Sequence, residues 1–252
     1  MKITLLGTGD TVGTPRVGCD CPVCTAAIKA GIERLRTSIL VEHEGKHLLI
    51  DTSPDLRHQL LAAGSPHIDA VIWTHGHYDH FAGYNDFYRV QRFPPVYGAP
   101  EVLDYLTKQF QFLPIEAHPI QPYEQFELFG LKITLVEVLH PPTYTTGIVI
   151  ECCGKKIVHT ADTCADIPQR TLEAMENPDL LFVDALMPPG IHIGKHMNYN
   201  DACALATRLH AKDYRCVHCS HKVPLDWDHL EQTGKLLRSA NLPHTTGRVS
   251  IY

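Results

Sequence analysis

The sequence predicts an α/β protein in which two β-sheets are covered by outer helices. Short runs rich in apolar and β-branched residues recur along the chain, bounded by Gly, Pro and Asp, which is how strands read. Helical stretches lie between some of them and become more frequent in the second half, which fits a layered arrangement. No shift in composition marks a linker, so residues 1–252 read as a single domain.

Taken in order, residues 3–6 (ITLL) form the first strand. Residues 38–43 and 47–51 follow as a pair across Gly45. Residues 54–63 read as a helix with Ser53 as its N-cap. Residues 69–74 (DAVIWT) are a strand, and residues 101–110 a helix starting after Pro100. Three strands come next, at 131–138, 147–152 and 155–160. A helix at 167–175 precedes a strand at 179–185. In the helix at 200–209, Ala202, Leu205, Ala206 and Leu209 recur at helical spacing. A strand at 215–219 and a helix at 228–239 complete the set. Periodicity does not fix how the strands are ordered.

Hydrophobic residues make up 44% and charged residues 20%, an ordinary globular balance. The formal net charge of −6 argues against a broad nucleic-acid footprint. The apolar run before Gly7 is too short for a signal-peptide core. Nothing approaches the ~20 consecutive apolar residues of a membrane span. Nine cysteines cannot all pair within one chain, and Cys19, Cys21 and Cys24 are crowded as metal ligands are. A reducing cytoplasm is the expected compartment.

The unusual number is 17 histidines, histidine being the commonest nitrogen ligand for metals. The segment Thr74-His75-Gly76-His77-Tyr78-Asp79-His80 follows an apolar strand. In an extended stretch His75 and His77 point the same way, while Asp79 and His80 can turn toward a second point. Such a segment can feed two ions, and Gly76 lets the backbone pass close to them. Imidazole and carboxylate suit Zn²⁺, and equally Mn²⁺ or Fe. In Cys19-Asp20-Cys21-Pro22-Val23-Cys24, three thiolates lack the fourth ligand of a tetrahedral zinc. His221 offers it, with Cys219 as a competitor. The loop Gly7-Thr8-Gly9 to Gly13-Thr14-Pro15 could hold an anionic oxygen on its amides or serve geometry alone. Phe87, Tyr88, Arg89 and Arg92 are candidates for the pocket wall or for packing.

The HGHYDH segment resembles the HxHxDH motif of the metallo-β-lactamase superfamily. That resemblance implies an αββα fold of two mixed sheets flanked by helices. It also implies a dinuclear metal site of two divalent ions, Zn or Mn. His140, Asp162 and His218, each near a strand end, match the family's remaining ligands in order. His75, His77 and His140 would hold the first ion, Asp79, His80 and His218 the second, and Asp162 would bridge them. Asp51 would be an outer partner that orients ligands. The CxCxxC cluster narrows the likeness to PhnP-type phosphoribosyl 1,2-cyclic phosphate phosphodiesterases. There a structural zinc would take Cys19, Cys21, Cys24 and His221. His196, in KHMN, would be catalytic beside the ligand Asp79, and a histidine there could protonate a leaving oxygen.

The implied reaction is hydrolysis of a small phosphodiester, a cyclic ribose phosphate being the family's substrate, by attack of a metal-bridging hydroxide. A tRNase Z-like RNA phosphodiesterase is the second reading, but its extended basic arm is not found. An ester, lactone or thioester hydrolase on the same metals is the third. A non-enzymatic zinc module, or a scaffold like PqqB, is the fourth, and the complete ligand set counts against it. The expected partner is a small-molecule substrate, with neither nucleic acid nor membrane, and a homodimer is compatible. The remaining histidines, among them His43, His47, His58, His67, His118, His192, His210, His229 and His244, read as solvated.

Overall fold

The computed structural model describes residues 1–225 and the backbone of a strand at Arg248–Ser250. The expected helix at 228–239, with His229 and His244, lies outside the described residues. The first sheet contains β1 (Lys2–Gly7), β2 (Ser38–His43), β3 (Lys46–Ile50), β4 (Ala70–Ile72), β5 (Val96–Gly98) and β6 (Ala117–Pro119). The second contains β7 (Gln125–Leu128), β8 (Leu131–His140), β9 (Thr143–Cys152), β10 (Lys155–His159), β11 (Leu180–Asp184) and β12 (Tyr214–Val217). With the Arg248–Ser250 strand as β13, the sheet orders are β13-β1-β2-β3-β4-β5-β6 and β12-β11-β10-β9-β8-β7.

Both sheets are mixed. The β1-β2-β3 meander is antiparallel and continues in parallel through β4, β5 and β6. The β7-β8-β9-β10 meander is likewise antiparallel, and β11 and β12 add in parallel. The parallel additions bring the C-terminal ends of β3, β4, β10, β11 and β12 to one edge of the sandwich, which is where ligands collect in such sheets.

The strands read as continuous apolar runs because both faces are buried. Ile39, Val41, Leu48 and Ile50 point between the sheets and meet Ile133, Leu135, Ile148, Ile150 and Phe182. Their neighbours Leu40 and Leu49 point outward, with Val71 and Trp73, against α2 (Leu56–Ala62), α4 (Pro100–Gln109) and the 3-10 turn Ala82–Phe87. Val158, Leu181 and Val183 cover the other outer face, under α5 (Gln169–Met175) and α6 (Tyr199–Arg208). This is the period-two alternation of a strand, read three layers deep.

Two helices start later than the sequence suggested. The helix expected from residue 54 begins at Leu56, with Asp55 at the cap position and no side-chain cap. Ser53 instead accepts the Asp55 amide and donates to Gln59. The helix expected from Ile167 begins at Gln169, because a residue preceding proline avoids the helical region and Pro168 becomes the cap. Two helices were not foreseen: α1 (Pro22–Ala30), capped by Cys21, and the single turn α3 (Tyr78–Phe81). Helix α6 starts on a capping box, Asn198 with Asp201.

Phe87 is a core residue beside Trp73 and Tyr84, while Arg92 pairs with Glu116 in the open. The glycine loop after β1 serves packing. A Cβ at Gly7 would stand 2.1 Å from the Arg36 carbonyl oxygen. The Gly9, Asp10 and Gly13 amides are already bonded to Leu35, Cys219 and Asp10 carbonyls, so they do not cradle an anion. No helix among the described residues is long and apolar enough to cross a membrane.

Candidate metal centre

All the expected ligands converge at the edge where those strands end. His75 continues β4 in an extended conformation and bridges Thr145 on β9 of the other sheet. A Cβ at Gly76 would fall 2.5 Å from the Tyr105 ring, so the residue between the two histidines must be small. His77 caps α3 in an extended conformation, and Asp79 and His80 lie within that turn. His140 ends β8, and Asp162 and His218 follow β10 and β12 closely. Asp51, Ala161 and His218 take left-handed backbone angles, with φ of 59°, 55° and 58°. Non-glycine residues rarely do so except where the surroundings over-determine them, as at functional sites.

Two groups form. His75 Nε2, His77 Nδ1, His140 Nε2 and Asp162 make one, and Asp79, His80 and His218 the other. Asp162 Oδ2 reaches both. It lies 3.6 Å from His75 Nε2 and 3.8 Å from His140 Nε2 on one side. On the other it lies 3.4 Å from His80 Nε2 and 3.2 Å from His218 Nε2. Every one of these residues except His77 is buried.

The outward nitrogens set the tautomers. His80 Nδ1 donates to Asp51 Oδ2 at 2.6 Å, and His140 Nδ1 to the Lys195 carbonyl at 2.9 Å. Thr74 donates to Asp51 and stands 3.0 Å from His75 Nδ1, while Thr143 stands 2.9 Å from His77 Nε2. Thr74, Thr143 and the Lys195 carbonyl were not foreseen from the sequence. With the outer positions protonated, the inner nitrogens carry lone pairs. Yet His77 Nδ1 lies 3.1 Å from His75 Nε2 and 2.9 Å from His140 Nε2. Lone pairs that close repel unless a cation stands between them, and His80 Nε2 is buried with no hydrogen-bond partner. The donor set therefore fits metal ions, and its outer carboxylate and carbonyl partners are those that metal-binding histidines commonly use.

Without metal the charges sort themselves by position. Burial holds His75 far below the ordinary imidazole range, and takes His140 down to about 4. Burial opposes charge on His80 and His218 as well, but the carboxylates win. Asp162, Asp79 and Asp51 lift His80 far up, and Asp162 and Asp79 raise His218 from 6.5 to about 9. Asp79 and Asp162, despite burial, are held well below the usual range by those imidazoles. A raised histidine stabilises the fold fully below its unfolded pKa, and that gain disappears as pH rises through the folded value. Metal-free protein should accordingly melt lower as pH climbs from 6.5 to about 9, through His218. Metal-loaded protein, whose imidazoles are neutral at the start, should lack that fall. Thermal melts of both forms across this range check it, and an unchanged difference between the two forms would remove the proton–metal exchange.

His196 sits beside the centre, with a ring nitrogen within 4.8 Å of both Asp162 and His218. Its Nδ1 donates to Asp184 Oδ2 at 2.8 Å, which leaves Nε2 free. Asp184, like Thr74 and Thr143, is not foreseen from the sequence. It ends the apolar strand β11 as Asp51 follows β3, so the same signal was available. His192 is exposed, as expected.

Cys19, Cys21, Cys24 and His221 form a separate cluster. His221 Nδ1 lies 3.5, 3.5 and 3.6 Å from the three sulfurs. On a tetrahedral zinc with ordinary bond lengths the N···S edge is about 3.6 Å, so the cluster has the size of such a site. Cys219 is buried in the core with its sulfur toward the Val217 carbonyl, and is thereby excluded as the fourth ligand. The Cys24 amide, then His221, lowers Cys21 to about 6, whereas burial raises Cys24 to about 11. Buried Arg34 clamps the same loop by donating to the Ser220, Val223 and Pro224 carbonyls. Replacing Cys21 with serine should cost the protein one tightly held zinc and lower its melting temperature, read by metal analysis and thermal melts. Retention of that zinc would contradict the ligand set.

A beta-lactamase superfamily domain model matches residues 46–219. The chain belongs to the metallo-β-lactamase superfamily. Its histidine and aspartate clusters could hold divalent metal ions, which that superfamily's fold implies. It is similar to the crystal structure of a diphosphatase from the PhnP family, with 33% identity and a TM-score of 0.80, covering 88% of each chain. An octanoyltransferase of Porphyromonas gingivalis is 31% identical over 92% of this chain, which spans only 48% of that relative's length. Coenzyme PQQ synthesis protein B of Methylobacterium radiotolerans is 28% identical over 73% of this chain and 72% of its own. Human tRNase Z, short form, shares the fold at a TM-score of 0.67 and 19% identity, covering 87% of this chain and 93% of its own.

Proposed function

We propose that this superfamily member is a phosphodiesterase that cleaves a small phosphodiester at a dinuclear site. The observation that carries the reading is Asp162 Oδ2, which stands within 3.8 Å of nitrogens from both ligand groups and so can be shared by two ions. Asp162 with His75, His77 and His140 would hold one ion, and Asp162 with Asp79, His80 and His218 the other. Two such cations supply the Lewis acidity that makes water nucleophilic near neutral pH and offsets charge on phosphoryl oxygens.

The chain's own residues do the rest. Asp51, Thr74, Thr143 and the Lys195 carbonyl fix the ligand rings, so that no reorganisation is needed as charge develops. Asp184 holds His196 Nδ1, so Nε2 is the nitrogen from which a protonated ring would hand its proton to the departing oxygen. Cys19, Cys21, Cys24 and His221 would bind a structural zinc that ties the N-terminal loop to the loop carrying His218.

A cyclic ribose phosphate is the substrate expected from the PhnP likeness. The diphosphatase likeness supports a second reading on the same site, in which the bond broken is a phosphoric anhydride. The net charge of −6 disfavours RNA. Metal-loaded protein should be tested against bis(p-nitrophenyl) phosphate, a ribose 1,2-cyclic phosphate, a nucleoside diphosphate and an acyl thioester. Faster turnover of the first two supports the phosphodiesterase, preference for the third selects the anhydride, and turnover of the thioester alone contradicts both.

A further inference from the structure

A third cluster of metal-type ligands lies at the far edge of the sandwich. His43 ends β2 and pairs with Lys46 at the turn into β3, so it sits at the opposite end of that hairpin from Asp51. Cys152 ends β9 and pairs with Lys155, so it sits at the opposite end of β10 from Asp162. Between the strands, the two-residue turn Cys153-Gly154 has positive φ at both positions, 53° and 72°, as a type I′ turn requires. That turn brings the Cys153 sulfur to 3.2 Å from the Cys152 sulfur, and His43 Nε2 lies 3.4 Å from Cys152. The three ligand atoms all lie within 4.8 Å of one another. His43 belongs to the first sheet and the cysteines to the second, so the cluster bridges the two layers.

From these contacts we infer a metal site of Cys152, Cys153 and His43, suited to a borderline or soft cation such as Zn²⁺. Two thiolates and an imidazole are zinc's preferred donors. On a tetrahedral zinc the donor-to-donor edges are roughly 3.5–3.8 Å, so the pair needs to open by only about half an ångström. Glu44, with Oε1 3.8 Å from His43 Nε2 and its side chain largely in solvent, can swing in as the fourth ligand. Entry is open. Cys153 is exposed, and a groove of about 380 Å³ runs along it. Lys132, Glu151 and Lys155 line that groove. His43 is half-buried, with 13% of its side chain exposed, rather than the solvated histidine the sequence suggested. An ion here would pin the two sheets together at the edge remote from the catalytic centre.

The test compares zinc-loaded full-length protein with Cys153→Ser and His43→Gln variants. Cys153 is an exposed turn residue, so its serine variant should fold. Wild type is expected to hold one more zinc per chain than either variant, with phosphodiester hydrolysis unchanged. Zinc should also protect Cys153 from iodoacetamide in wild type and not in His43→Gln. Equal zinc content in all three proteins, with alkylation indifferent to zinc, overturns the site. So does an intact mass showing loss of two hydrogens to a Cys152–Cys153 disulfide in protein purified without oxidant, because the pair would then be a redox couple.

Discussion

Replacing Asp162 with alanine is expected to abolish phosphodiester turnover and to lower the catalytic metal content together. The reason is its position. Among the described residues, Asp162 is the one carboxylate within reach of both donor groups, and it is buried among four imidazoles. Removing it leaves His80 and His218 without the carboxylate that contributes most to their raised pKa. The two ions would lose their common ligand and the buried negative charge that offsets their own, so the remaining imidazoles would hold them less tightly. Asp51→Ala provides the comparison. Asp51 touches His80 and Thr74 but no inner nitrogen, so its loss should cost the ~10–100-fold typical of an outer partner. The Asp162 variant should fall well below that. Equal losses in kcat/KM and metal content for the two variants would contradict the bridging assignment.

The second large effect is expected at His196, and it should depend on the leaving group. A general acid contributes roughly 10²–10⁴-fold where a poor leaving oxygen needs a proton. His196→Ala should show that loss in kcat on an alkyl phosphodiester or cyclic ribose phosphate. With bis(p-nitrophenyl) phosphate, whose phenolate leaves unaided, the loss should be much smaller. Asp184→Asn keeps the shape but removes the carboxylate facing Nδ1, so it should move the alkaline limb of the pH–rate profile to lower pH while metal content stays constant. Uniform losses across leaving groups would make His196 a binding residue rather than an acid.

Much of this was legible because the chemistry is concentrated. HGHYDH places four donors beside one strand, and His140, Asp162 and His218 each lie near the end of an apolar run. Nine strands were readable because their two faces are both buried, which leaves uninterrupted apolar segments. The short strands β5, β6 and β7 were not, since each has at most four residues and takes its identity from its neighbours. Helix α1 was hidden because closely spaced thiols point to a ligand loop, although Pro22 at the first helical position is a start signal. Asp184 was passed over because one acid after an apolar strand carries no sign of its partner, and the contact to His196 spans a loop. The left-handed backbone at Asp51 and His218 has no sequence signature without glycine.

The most direct test is to strip the protein with chelator and restore divalent metal stepwise while following bound metal and bis(p-nitrophenyl) phosphate turnover together. The expected result is that turnover appears as the two catalytic positions fill, and that His77→Ala and Asp162→Ala stay inactive at the same metal concentrations. Both positions filled with no phosphodiester cleaved, or turnover that survives in either variant, would contradict a dinuclear phosphodiesterase built on these residues.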